Sequence, residues 1–76
     1  MREWLRTARK SKGLTMKALA SELGISESFY CAIENGHKKK DMSASIALGL
    51  SEALGIPVRD VLEMDRKSME AEKHAD

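Results

Sequence analysis

Cysteine, proline and aromatic residues are scarce in this chain of 76 residues: Cys31 and Pro57 stand alone, and Trp4, Phe29 and Tyr30 are the only aromatic rings. A single cysteine excludes an intramolecular disulfide, and no CxxC or Cys/His group exists to bind a metal. Cys31 reads as a small filler rather than a redox-sensing thiol. His37 and His74 have no partner at ligand spacing, so neither a metal nor a cofactor is expected. No apolar run approaches the roughly 18 residues of a bilayer span, and no signal-peptide pattern opens the chain. A soluble, cytoplasmic protein without a membrane partner is therefore expected. Paired acid and base groups, an activated nucleophile and a phosphate-cradling glycine loop are also missing, which argues against an enzyme. Internal repeats, low-complexity runs and linkers are absent as well.

What remains is short, charged and helix-prone. So few residues allow one small domain, whose core is a single layer of side chains shared by four or five helices. Apolar residues make up 42% and charged ones 33%, and β-branched residues are few, so an all-α bundle is expected. The net charge of +1 hides an asymmetry. Residues 1–40 hold nine Lys and Arg against four acids, a net +5, whereas residues 41–76 hold four against eight, a net −4. Positive charge in one half suits a nucleic-acid surface, although a solvated, unevenly charged face reads the same way.

Residues 16–35, MKALASELGISESFYCAIEN, read as two short helices joined by a corner at Gly24, Ile25 and Ser26. Leu19, Ala20 and Leu23 share one apolar face; Tyr30 and Ile33 share another across the corner, with Ile25 filling the angle. Gly24 suits a left-handed helix stop, and Ser26 suits the cap of the next helix. Two such helices make a helix-turn-helix.

This stretch resembles the helix-turn-helix of phage repressors and Cro proteins, the XRE family. The small Ala20 lies where the helices touch, Gly24 at the turn, apolar residues at Leu19, Leu23, Ile25, Tyr30 and Ile33, and the closing Ile33-Glu34-Asn35-Gly36 follows. The likeness covers roughly residues 3–63. It implies a lambda repressor-like DNA-binding domain, taken here as residues 1–64, with residues 65–76 as a helical extension or disordered tail. It also implies that Arg9 pairs with Glu34, that Glu27, Ser28 and Ala32 meet bases, and that Asn35 donates to a phosphate. Met16 stands where members often carry a phosphate-binding glutamine.

Around that motif, residues 3–12 read as a first helix with Leu5 and Ala8 inward, ended by Gly13. Thr15 caps the second, whose free amides, with Met16 at the first position and Lys17 beside it, face the DNA backbone. The third helix, from Ser26, turns outward Ser26, Glu27, Ser28, Cys31 and Ala32, with Phe29 at the margin. These are the candidate base readers. No Arg, Asn or Gln stands among them for the common bidentate base pairs, so readout is expected to lean on backbone contacts and DNA shape. Glu27 has a second reading, an acid complementing the helix dipole. Lys38, Lys39 and Lys40, just past this helix, are placed for phosphates or serve as a solvated turn. Ser43 caps a fourth helix to Leu54, in which Gly49 permits a close helix contact, and Gly55-Ile56-Pro57 leads into a fifth whose apolar pattern fades after Met64. The expected function is a DNA-binding transcriptional regulator, a repressor acting as a homodimer on a palindromic operator. The alternative is a protein-interaction module, an antitoxin or a partner sequestering another regulator.

Overall fold

A computed structural model describes residues 1–36 and 42–74, with side chains through Ser68. Five helices follow in order: α1 Glu3–Ser11, α2 Met16–Leu23, α3 Glu27–Asn35, α4 Ala44–Leu54 and α5 Val58–His74. No strand occurs among the described residues.

Local chemistry sets the helix ends. Thr15, Ser26 and Ser43 have extended backbones, and their hydroxyls accept from the amides of Ala18, Phe29 and Ile46. Each thereby satisfies an amide that the helix cannot bond internally. At the far end of α2, Gly24 turns left-handed (φ 71°), and two bonds close the helix. Ile25 N–H donates to Ala20 C=O (3.0 Å) and Gly24 N–H to Ser21 C=O (3.1 Å). That pair of bonds turns the chain sharply enough to start α3 after only three residues.

Each helix packs mainly on two others: α1 on α3, α3 on α2, α2 on α4, α4 on α5, and α5 back on α1. The closed ring encloses Leu5, Leu19, Ala20, Tyr30, Leu50 and Leu54, with Ala8, Leu14, Ile25, Ile33 and Ile56 packed around them. Gly49 explains how closely α4 approaches α2, since a Cβ built there would lie 2.5 Å from Leu23 Cδ2. No buried side-chain nitrogen or oxygen among the described residues lacks a hydrogen-bond partner.

The structure departs from the sequence reading at the end of α1. α1 stops at Ser11, one residue early, because Lys12 already donates to Ala8 and Arg9 as a cap and Gly13 turns left-handed. Ser26 caps α3, as its position suggests, and the helix itself begins at Glu27. Of the two readings given for the stretch after Met64, a helical extension or a disordered tail, α5 follows the first as far as His74, sustained by good helix formers after the apolar stripe fades.

Candidate nucleic-acid interface

α3 is anchored at its C-terminal half and offered to solvent at its start. Tyr30 and Glu34, one turn apart, are its buried residues. Ser26, Glu27 and Ser28 are exposed, and Phe29, 48% exposed, stands beside them. Ala32 and Cys31 are half-buried, and Asn35 Nδ2 donates to Cys31 Sγ (3.1 Å). The candidate readers thus divide into an open N-terminal cluster and a recessed Ala32. Ser26 is also committed as an acceptor to Phe29 N–H (3.1 Å).

At the start of α2, Met16 packs half-buried against the core and Lys17 is exposed. Thr15 Oγ1 caps Ala18, and by helix geometry the amides of Met16 and Lys17 have no intrahelical acceptor. A helix start of this kind draws a phosphate through its dipole and free amides without any side-chain donor. Met16 can therefore contribute its backbone there, while its side chain fills the core. Lys38, Lys39 and Lys40 lie outside the described residues.

The inner end of α3 is held by charge. Arg9 Nε donates to Glu34 Oε2 (2.9 Å) and Nη2 to Oε1 (3.1 Å), a bidentate pair, while Nη1 donates to Leu14 C=O (2.9 Å). Tyr30 Oη adds a third donation to Glu34 Oε2 (2.6 Å). Burial by itself pushes the Glu34 carboxyl up, but the hydrogen bonds from Arg9 and Tyr30 outweigh it and hold the group below the usual carboxylate range. Burial and the bond to Glu34 push the Tyr30 phenol well above its ordinary value. The Arg9 guanidinium is raised by the bond to Glu34 against the opposing effect of burial.

These directions set a pH dependence. Because the Glu34 pKa is lower folded than unfolded, its contribution to stability is complete above about pH 4.3 and is lost as acid protonates the folded carboxylate. Tyr30 acts at the other end, its contribution being lost as pH rises above about 10. Thermal midpoints measured across this range should therefore fall at both limits. Glu34→Gln should flatten the acid limb, and an acid limb as steep as that of the unaltered chain would contradict the assignment.

A second buried ion pair was not foreseen from the sequence. Arg2 Nε donates to Asp65 Oδ1 (2.6 Å), with both residues almost wholly buried, and Trp4 Nε1 donates to the same oxygen (3.3 Å). Register was the available signal. Arg2, Leu5 and Arg9 recur at helical spacing, and Asp65 follows the buried Val61 by one turn.

Two short helices meeting at a glycine corner, with the second exposed at its start and locked at its end, define a helix-turn-helix protein. Residues 3–63 match the family model described as a helix-turn-helix domain, and the chain belongs to that family, of the phage repressor type its sequence resembles. It is similar to a Bacillus subtilis (strain 168) protein named as an uncharacterized HTH-type transcriptional regulator, YqaF, with 38% identity over 49 residues. That match takes in 64% of this chain and 64% of the relative, so the chain spans less than two thirds of that protein's length. The crystal structure of the clp gene regulator ClgR from Corynebacterium glutamicum is similar in fold, with a TM-score of 0.72 and 31% identity, covering 93% of this chain and 73% of that one.

Proposed function

We propose that the chain is a sequence-specific DNA-binding transcriptional regulator, a cytoplasmic repressor and not an enzyme, which binds a palindromic operator as a homodimer through α3. The exposed start of α3, rigidly held from behind by Glu34 and Tyr30, is the observation that supports this reading best. Ser26, Glu27, Ser28, Phe29 and Ala32 would face the base edges. Amides of Met16 and Lys17, the Lys17 side chain, Asn35 and the lysines at 38, 39 and 40 would hold the phosphates. Serine bonds several bases, Glu27 accepts from a cytosine amino group, and Phe29 or Ala32 rests on a thymine methyl. So small a base-reading set selects poorly as a monomer, and a dimer spanning half-sites about 34 Å apart supplies the missing selectivity.

Binding of the purified chain to a duplex inverted repeat, titrated at several salt concentrations, tests this. The logarithm of the binding constant should fall linearly with the logarithm of salt, and replacing Lys38, Lys39 and Lys40 by alanine should lower that slope by up to about one per lysine. A tight protein complex with no affinity for any duplex at low salt would instead favour the interaction module.

A further inference from the structure

We propose that Arg2 is a positioning residue that couples α5 to the pose of α3, so that DNA affinity depends on the Arg2–Asp65 contact; this rests on the reading role proposed above for α3. Arg2 engages the end of α3 twice. Its Nη1 donates to Ile33 C=O (2.7 Å), and its backbone N–H donates to Glu34 C=O (2.8 Å). Both carbonyls belong to the last turn, where that of Ile33 also accepts from the capping Gly36 N–H (3.2 Å), and a cation there complements the helix dipole. The same guanidinium is committed through Nε to Asp65 on α5 (2.6 Å). One planar group therefore spans α3 and α5, two helices that both pack on α1 but are not among each other's main packing partners.

The bridge is stiff because it is buried and branched. Arg2 is 7% and Asp65 4% exposed, so water does not loosen the pair. Trp4 Nε1 donates to the shared Asp65 oxygen (3.3 Å), and Arg2 C=O accepts from Leu5 and Arg6 N–H (3.1 and 3.2 Å), fixing Arg2 to the start of α1. A displacement of α5 thus pulls on Arg2, and Arg2 pulls on the C-terminal turn of α3. The open readers lie at the opposite end of that nine-residue helix. At 1.5 Å per residue they are about 9 Å from the anchor, so a tilt of about 6° shifts them by about 1 Å.

Arg2→Met removes the donations to Asp65 and to Ile33 C=O at similar length, and Asp65→Asn keeps the shape while removing the charge. The probe is a labelled duplex recovered from a random-sequence library by the unaltered chain, with an unselected duplex as control, at temperatures where denaturation curves show each variant folded. Both substitutions should weaken binding to the selected duplex by about 2- to 30-fold, leaving the unselected duplex and the salt slope unchanged, because the phosphate-contacting lysines are untouched. In NMR spectra without DNA, Asp65→Asn should shift the amides of Ile33, Glu34 and Asn35, although position 65 lies on another helix. Folded variants with unaltered affinity for the selected duplex, or α3 amides indifferent to Asp65→Asn, would overturn the proposal. If Arg2→Met fails to fold, Asp65→Asn decides it. If the unaltered chain binds no duplex, the reading role of α3 fails, and with it the claim about affinity, while the amide shifts decide the coupling separately.

Discussion

Glu34→Ala is expected to lower the unfolding free energy by about 3–5 kcal/mol, the usual cost of removing one partner from a buried ion pair. The carboxylate accepts from Arg9 Nε, Arg9 Nη2 and Tyr30 Oη, and its removal strands all three donors where water has little access. A domain of this size has only about 4–11 kcal/mol in total, so much of the population should be unfolded well below the normal melting temperature. The pair itself is another matter. Two charges brought out of water recover little beyond their desolvation, so replacing Arg9 and Glu34 together by methionine, with Tyr30→Phe, should give a chain more stable than Glu34→Ala alone. Urea unfolding of the variants checks both statements. A loss below about 1 kcal/mol for Glu34→Ala would mean that the pair behaves like an exposed one.

Ser28→Glu should have the largest effect on function without any loss of fold. Position 28 is exposed in the first turn of α3, where an added carboxylate complements the helix dipole and should leave the melting temperature unchanged or slightly higher. In the pose proposed for α3 the same charge would enter the groove beside Glu27, between the phosphates, and like-charge contacts of that kind cost several kcal/mol. Duplex affinity should therefore fall by about 100-fold or more. Ser28→Ala, which only removes a hydrogen bond, should cost about tenfold and alter preference at one base position. A folded Ser28→Glu chain that binds duplex DNA as before would show that α3 does not meet the groove.

The parts of the fold set by neighbouring residues were legible. Thr15, Ser26 and Ser43 could be placed as caps and Gly24 as a stop, because each acts on amides or carbonyls within one turn of itself. The outward face of α3 followed from Tyr30 and Ile33 needing the core. What stayed hidden was set by distant residues. Nothing near Arg2 announces a partner 63 positions away, and a lone charge at a chain's start ordinarily reads as surface. Asp65 falls in the stretch read as a helical extension or disordered tail because the apolar stripe fades after Met64; the next inward position of that stripe holds a carboxylate. Charges in register with an apolar stripe, such as Arg9, Glu34, Arg2 and Asp65, deserve reading as buried pairs. Which bases α3 prefers was not legible for a different reason. Serine, glutamate and phenylalanine each accept several partners, so their chemistry leaves the operator open.

The exposed start of α3, with the start of α2 beside it, is the face proposed to meet a DNA duplex. Titrating labelled chain with a duplex and following its backbone amides by NMR tests this most directly. The largest shifts should fall on Ser26, Glu27, Ser28 and Phe29, and on Met16, Lys17 and Ala18, with the exposed residues of α5 little changed. Shifts concentrated on α4 and α5, or none at low salt, would contradict it.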